Sequence, residues 1–274
     1  MKKQTKGKLR FKGDKTELIL HEKNMYRALA VTALPLMLSN FIIALLDIAD
    51  TFFVGQMNNA SAAQAGIGIA WPVINIMLAF NNGLSAAGIA VISRMFGEEN
   101  KKKAAHYGGL LLMTACAMGV TINIMLFAAA PALMRFMGAE GDVLMEAVVY
   151  LKISSFEMLP LFLFSAFCAM RQAMGDMMLP VIFSLIAAVV NIMLIALLVM
   201  GFGLGARGAA IASVAGQLSI LPFYGKQLIK GCGDESAVRG ELHIDKKGLA
   251  LLFKIAAPSV ASQVAGSFGF IILQ

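Results

Sequence analysis

Charged side chains are scarce in this chain. Lysine, arginine, aspartate and glutamate make up 14% of its 274 residues, and hydrophobic residues make up 59%. Soluble globular domains carry about 25% charged residues, so the deficit excludes an ordinary soluble fold and indicates a membrane protein. The net charge is +7, which means that the few charges are biased toward lysine and arginine.

Cysteine and histidine are also rare. The three cysteines, Cys116, Cys168 and Cys232, are odd in number and far apart, which excludes a disulfide framework. The three histidines show no metal-ligand spacing among themselves or with the cysteines. We therefore expect no metal site, and we interpret all six residues as structural or incidental.

Long hydrophobic runs make up most of the chain. A transmembrane helix needs about 20 apolar residues, and the chain holds six complete runs and the start of a seventh. They predict an all-α polytopic membrane protein, with a six-helix lobe followed by the start of a seventh helix. The predicted spans are approximately 28–54, 61–95, 103–134, 143–174, 177–201, 208–229 and 248 to the end.

The basic residues are concentrated between alternate spans. Nine of the 23 lysines and arginines lie in residues 1–27, and further ones lie in the predicted loops 96–102 and 230–247. The loops predicted on the outer side carry only Arg135 and Arg207. Because cytoplasmic loops are enriched in lysine and arginine, we expect a cytoplasmic N-terminus and a multi-pass protein of the cytoplasmic (inner) cell membrane. A basic N-terminal segment is also typical of nucleic-acid binding. Beside a spanning helix, however, the simpler interpretation is that its positive charge keeps the segment in the cytoplasm.

A short motif recurs in the first and seventh spans. Residues 33–40 read ALPLMLSN and residues 256–263 read AAPSVASQ, which share the pattern A-x-P-x-x-x-S-[N/Q]. Both copies would run from inside to outside, which predicts two parallel lobes and an N-terminal portion of a longer protein. The expected divisions are a basic cytoplasmic segment (1–27), a first lobe (28–229), an inter-lobe loop (230–247) and the start of a second lobe (248–274).

Three of the acidic residues inside predicted spans are candidates for a function. Asp47 and Asp50 are near the end of the first span, and Glu157 lies midway along the fourth. Ionisable groups inside a span are costly in hydrocarbon and are functional by default, whereas carboxylates near a span end reach water. We expect Asp50 to be functional and Asp47 to be a solvated helper. We expect Glu157 either to face a substrate cavity or to pair with Lys152.

Several motifs occur in the order typical of one transporter family. The first span ends DTFFVG, and the second ends GLSAAGIAVISRMFG before a run of lysines. A G-D-x-x-x-P loop (Gly175 to Pro180) joins the fourth and fifth spans, the fifth carries NIML from Asn191, and the sixth opens GLGARGAAIASV. Over nearly the whole chain after residue 28, this series resembles the multidrug and toxic compound extrusion (MATE) family.

The resemblance implies a set of residues for the coupling ion. In one branch of the family, a first-helix Asp works with a fifth-helix Asn, an Asp four residues later and a sixth-helix Thr. These positions fall on Asp50, Asn191, Ile195 and Ser213. Ser213 keeps a hydroxyl, whereas Ile195 departs from the pattern. The predicted coupling-ion residues are therefore Asp50, Asn191 and Ser213.

The resemblance also implies the function. It predicts a twelve-helix, two-lobe antiporter that exports cationic amphiphilic drugs or toxic compounds in exchange for protons or sodium ions. Asp47 and Glu157 are the candidates for the substrate cavity. The expected partners are small cationic substrates, the lipid bilayer and the remaining C-terminal lobe of the same protein, with no nucleic acid and no cofactor beyond the transported ion.

Other functions fit the residues less well. A flippase for lipid-linked precursors, with the same superfold, is the main alternative, but its anionic cargo calls for several cations in the cavity, and the spans here hold mainly acids. An intramembrane aspartyl protease needs two carboxylates at one depth, whereas Asp50 is predicted near the outer side and Asp176 near the inner side. A purely structural membrane protein does not explain the repeat, the prolines within spans and Glu157 together.

Overall fold

The described residues fold entirely into helices and their connections. The computed structural model describes residues 60–230 and 245–273, together with some of the positions between 33 and 55, termed here the first-span residues, which are all helical. The predicted basic segment 1–27 and most of the predicted loop 230–247 lie outside the described residues. The helices are α1 (Ala60–Gly97), α2 (Lys101–Phe136), α3 (Gly141–Ser155), α4 (Met158–Ala173), α5 (Met178–Ile195), a π-helix (Ala196–Gly201), α6 (Gly205–Lys230) and α7 (Lys246–Leu273).

Their length and hydropathy suit a lipid bilayer. Among the described residues, five helices are long and apolar enough to span a membrane, namely α1, α2, α5 with the π-helix, α6 and α7. The pair α3 and α4 makes a sixth span, bent by 44°. The prediction of an all-α polytopic membrane protein is confirmed, and the predicted second to seventh spans each correspond to one of these elements.

The bend in the fourth span differs from the single run predicted over 143–174. Pro160 has no N–H to donate to the carbonyl of Phe156, four residues earlier, so one helical hydrogen bond is missing at this point. The Ser155 hydroxyl donates to the Lys152 carbonyl at 2.7 Å, and such back-bonding by serine bends helices. Together, these two features separate α3 from α4.

The turn from α4 to α5 uses the glycine of the G-D-x-x-x-P loop. Gly175 has φ of +79°, a left-handed conformation that favours glycine. The N–H groups of Gly175 and Asp176 donate to the carbonyls of Gln172 and Arg171, both at 2.9 Å, which is the Schellman pattern for ending a helix. The Asp176 carboxylate then accepts from the Leu179 N–H at 3.4 Å at the start of α5.

Helix α7 packs antiparallel to α1. Asn82 donates to Gln263 at 2.9 Å, and Gly83 faces Val260 closely enough that any Cβ on residue 83 would clash with it. Further along α1, Ala87 and Val91 share an apolar cluster with residues of α7, namely Leu252 and Ala256. Helix α7 is lightly packed, because 17% of its most apolar stretch is buried, compared with 33% to 44% in the four other long spanning helices.

We predict that Gly83 sets the distance between α1 and α7. A thiol-reactive cross-linker should join cysteines placed at Asn82 and Gln263 in a variant that lacks the three native cysteines. Adding Gly83→Leu should reduce the cross-link strongly, because the new side chain meets Val260 and the backbone of Ala256. The yield is measured on gels after cleavage at a protease site inserted between residues 231 and 244.

The matched control is Gly68→Leu on the same helix, where an added Cβ has open space. This substitution should leave the cross-link unchanged. Equal yields from the Gly83 and Gly68 variants would contradict the close packing of the two helices.

Candidate functional site

Helices α5 and α6 approach each other closely at one glycine. A Cβ built on Gly216 would lie 3.0 Å from the Ala187 carbonyl oxygen and 3.1 Å from the Cβ of Asn191. Only a residue without a side chain fits this spacing without a shift of the helices. Gly216 thus places α6 side chains within hydrogen-bonding distance of α5.

The contact brings together two of the predicted coupling-ion residues. Asn191 is 6% exposed, and its Nδ2 donates a hydrogen bond to the Ser213 Oγ at 3.2 Å. These residues are 22 positions apart in the chain. The structure therefore places them in one site, although their role in ion coupling stays a prediction.

Two buried amide oxygens, one on α5 and one on α6, have no hydrogen-bond partner among the described residues. The Asn191 Oδ1 is buried, and no hydrogen-bond partner for it occurs among the described residues. The same holds for the Oε1 of Gln217, which lies one turn beyond Ser213 on the same face of α6. An unsatisfied buried polar group costs about 1–3 kcal/mol, so the Asn191 oxygen beside Ser213 is a candidate acceptor for a donor or a cation.

Ile195 lies one turn beyond Asn191, where the resemblance leads one to expect a carboxylate. It is fully buried, in an apolar cluster with Val199, Ala206 and Ala63. The side chains that pack against this cluster are also apolar except for Tyr150, which carries a hydroxyl. The second carboxylate of the family pattern is therefore replaced by a packed apolar side chain.

Asp47 and Asp50 lie outside the described residues, but their described neighbours run along α5. Ile42 is buried against Val181 and Ala188 of α5. Phe53 packs against the cluster that holds Ile195. The first-span residues and α5 are thus adjacent along much of their length.

A vestibule of about 970 Å³ opens at the same end of the bundle. Its wall includes Phe53, Val199 and Ala206, which also contact or belong to the cluster around Ile195. At its rim, the Arg207 guanidinium lies 3.9 Å from the Glu146 carboxylate. The vestibule therefore borders the apolar cluster around Ile195, which lies one turn of α5 beyond Asn191.

The sequence predicted that Glu157 lies within one continuous helix. In the structure it lies at the break between α3 and α4. It is partly buried, its N–H donates to the Ser154 carbonyl, and its carbonyl accepts from the Leu161 N–H, both at 3.0 Å. The Lys152 ammonium, its predicted alternative partner, lies 5.3 Å from the centre of the Phe127 ring. Whether Glu157 faces a substrate cavity stays a prediction.

Sequence reasoning missed a second buried polar pair. Asn81 of α1, 4% exposed, donates to the Ser165 Oγ of α4 at 2.7 Å. Its Oδ1 is buried without a hydrogen-bond partner in the described part of the chain. Two adjacent asparagines in the middle of an apolar span were the available signal, since each needs a partner in hydrocarbon.

Arg171 forms a polar contact at the opposite end of the bundle from the vestibule. Its guanidinium donates to Gln227 of α6, lies 3.8 Å from the Asp176 carboxylate and packs over the Phe167 ring at 5.5 Å. These contacts join α4, the following turn and α6. Asp176 is thereby explained as a structural residue.

Comparison with known proteins identifies the family. A sequence model of the family described as MatE matches residues 35–197, which is more than half of the chain. The chain belongs to the MatE family. The matched region of this MatE chain includes the fifth span and Asn191 but stops before Ser213 and Gln217.

Curated relatives of this MatE chain are described as multidrug transporters. It is 24% identical over 248 residues to "Probable multidrug resistance protein YoeA" of Bacillus subtilis, covering 88% of the chain and 53% of that protein. It is 22% identical over 258 residues to "Multidrug export protein MepA" of Staphylococcus aureus, covering 94% of the chain and 57% of that protein. The chain thus spans about half the length of the curated relatives it matches.

The fold is that of solved transporters. A MOP superfamily transporter from Pyrococcus furiosus, described as having a binding pocket of reverse polarity that suggests a different function, superposes with a TM-score of 0.85 at 21% identity. The match covers 99% of this chain and 58% of that one. Similarity at this identity shows the fold of the MatE chain.

We predict that Gly216→Ala lowers stability by about 1–3 kcal/mol, because a methyl group must push α5 and α6 apart. The readout is the midpoint of heat-induced unfolding of the detergent-solubilised protein. The matched control on α6 is Gly225→Ala, where an added Cβ meets nothing within 4 Å. It should raise stability by up to about 1 kcal/mol through helix propensity. A rise of the midpoint in both variants would show that the helices are not in close contact at Gly216.

Proposed function

We propose that the complete protein is a cation-coupled antiporter that exports cationic amphiphilic compounds across the cytoplasmic membrane. The observation that carries this proposal is the buried Asn191–Ser213 pair, in which the Asn191 Oδ1 has no hydrogen-bond partner among the described residues. Such an acceptor suits a proton-bearing group or a metal cation. The descriptions of the curated relatives as multidrug transporters support the choice of cargo.

In this proposal the coupling ion binds beside the first span. The Asp50 carboxylate changes between a charged form in contact with water and a neutral or ion-paired form when the site closes, because loss of water disfavours its charge. Asn191 and Ser213 stabilise either form by hydrogen bonds. The vestibule between Phe53, Glu146 and Arg207 supplies the route from the outer solution, and Asp47 is a solvated helper.

Because the second carboxylate of the family pattern is missing, the proposed ion site carries at most one negative charge, that of Asp50. With Ile195 in place of an acid, Asp50 is the only carboxylate of the family pattern at this position, so one bound proton or one sodium ion neutralises it. The amide oxygen of Asn191 then completes the ligand set for the ion. Ion and cargo compete for the lobe, and reciprocal coupling between their binding produces antiport.

The proposed topology places the N-terminus in the cytoplasm. The exposed lysines at the starts of α2 and α7, Lys102, Lys103, Lys246 and Lys247, then lie on the cytoplasmic side, in agreement with the positive-inside rule. Residues 28–229 form the first lobe, and α7 begins the second. The antiparallel packing of α7 on α1 supports this arrangement, since α1 also runs opposite to the first-span residues, whose Phe53 meets Ala63 at the start of α1.

Asp50→Asn should abolish dye efflux from cells that produce the complete protein, because the side chain can no longer exchange a proton or balance a bound cation. Asp47→Asn, at matched expression, should retain most of the efflux. Efflux is followed by fluorescence after loading with a cationic dye, from mildly acidic to mildly alkaline pH. If the Asp50→Asn variant exports the dye as fast as the wild-type protein over this pH range, the proposed coupling is refuted.

Glu157→Gln should weaken the export of cationic dyes and leave neutral substrates unaffected, because it removes one negative charge at the break between α3 and α4. We expect about a tenfold higher dye concentration for half-maximal efflux, which corresponds to about 1.4 kcal/mol. The exposed Glu98, paired with Arg94 at the end of α1, is the control: Glu98→Gln should have no effect. Unchanged dye export by the Glu157 variant would assign this residue a structural role.

A further inference from the structure

An apolar groove lies outside the proposed ion site, between α1, α2 and α7. It has a volume of about 510 Å³, within the range of small-molecule pockets. Helix α2 supplies most of its wall. The lining residues are Met77 and Phe80 of α1, Leu110, Met113, Thr114, Ala117, Met118, Thr121, Ile122 and Met125 of α2, and Leu249 and Phe253 of α7.

The two polar side chains of the groove are already satisfied. The Thr114 hydroxyl donates to the Leu110 carbonyl and the Thr121 hydroxyl to the Ala117 carbonyl, both at 2.8 Å. The groove therefore offers no free hydroxyl donor from these residues. Its four methionines are flexible and polarisable, which suits an apolar ligand of variable shape.

The groove is elongated along α2. Its α2 wall runs from Leu110 to Met125, a length of about 22 Å at the helical rise of 1.5 Å per residue. Half of the hydrocarbon core of a bilayer is about 15 Å. The groove is therefore long enough to hold the acyl chain of one leaflet, over about 15 Å of its length.

One end of the groove is surrounded by lysines. Gly248 packs against Leu110 and Tyr107, so the first turn of α7 closes the groove at its Leu110 end. Lys246 and Lys247 are exposed on that turn, beside the groove residue Leu249. Two more exposed lysines, Lys102 and Lys103, lie on the first turn of α2 at the same end.

The nearby acidic groups, Asp245, Glu98 and Glu99, only partly offset the basic ones, which are Lys102, Lys103, Lys246, Lys247 and Arg94. Both Asp245 carboxylate oxygens accept backbone N–H groups, from Lys247 at 2.9 Å and from Gly248 at 3.1 Å. Glu98 is paired with Arg94 at 3.1 Å. The helix ends thus present a positive surface directly beside an apolar groove.

We propose that the groove binds an anionic phospholipid of the cytoplasmic leaflet. One acyl chain lies between α1, α2 and α7, and the headgroup phosphate contacts the lysines at the starts of α2 and α7. Basic pockets between transmembrane helices on the cytoplasmic side are suited to anionic headgroups. The proposal uses the proposed orientation of the chain but not the ion-coupling mechanism, and the lipid would link α7 to the first lobe.

The test uses a tryptophan inside the groove. The complete protein carrying Ala117→Trp is reconstituted in phosphatidylcholine vesicles with a small fraction of dibrominated phosphatidylglycerol or dibrominated phosphatidylcholine, and Trp71→Phe reduces the background. Bromine quenches only nearby tryptophan. We expect saturable quenching by brominated phosphatidylglycerol, at fractions several times lower than brominated phosphatidylcholine requires.

The matched control is Cys116→Trp, on the neighbouring exposed residue of α2, which does not line the groove. It lies at the same depth and should be quenched equally by the two lipids. If the two brominated lipids quench the tryptophan at residue 117 equally, the groove contains ordinary boundary lipid. If neither lipid quenches it, another part of the protein covers the groove. Either result would overturn the proposal.

A second pair of variants tests the headgroup contacts. Lys246→Gln with Lys247→Gln should reduce the preference for phosphatidylglycerol at residue 117, by about fivefold for each lysine that contacts the phosphate. Lys226→Gln, an exposed lysine on α6 away from the groove, should not change it. A preference that survives the double substitution would exclude these lysines as the headgroup site.

Discussion

Hydrocarbon supplies no hydrogen-bond partner, so every polar group within the bilayer must find one inside the protein. This constraint explains why the described residues of this MatE chain are helical throughout. It also explains where the helices depart from regularity. The break before Pro160 and the π-turn after Ile195 lie where backbone groups find other partners, as when the Phe202 N–H donates to the Leu197 carbonyl at 3.1 Å.

The same constraint gives meaning to the asparagines. Asn81 and Asn191 each use the amide nitrogen to bond a serine on a neighbouring helix, and each keeps a buried oxygen without a partner in the described residues. A purely structural pair would gain little from leaving an acceptor unsatisfied, since the cost is about 1–3 kcal/mol. At Asn191 the first-span residues packed along α5 give that oxygen a functional interpretation.

Much of the fold was predictable from the sequence because hydropathy and loop charge are local signals. We expected the six later spans and the turn at Gly175. We also expected the candidate pair Asn191 and Ser213, but through the family resemblance alone. The break beside Glu157, the Asn81–Ser165 bond and the groove between α1, α2 and α7 were not expected. The Asn81–Ser165 bond and the groove depend on the distance between helices, which hydropathy does not report. The break depends on Pro160 and on the Ser155 back-bond, and hydropathy does not report these either.

The central claim is that Asn191 and Ser213 act as one ion-coupling unit at the α5–α6 contact. It is tested most directly by a double-mutant cycle in proteoliposomes that contain the complete protein, with dye transport driven by an imposed proton or sodium gradient. The account predicts that Asn191→Ala, Ser213→Ala and the double variant lose gradient-driven transport to a similar extent. The account is contradicted if the loss of transport in the double variant equals the sum of the losses in the two single variants. It is also contradicted if transport by all three variants still responds to the gradient.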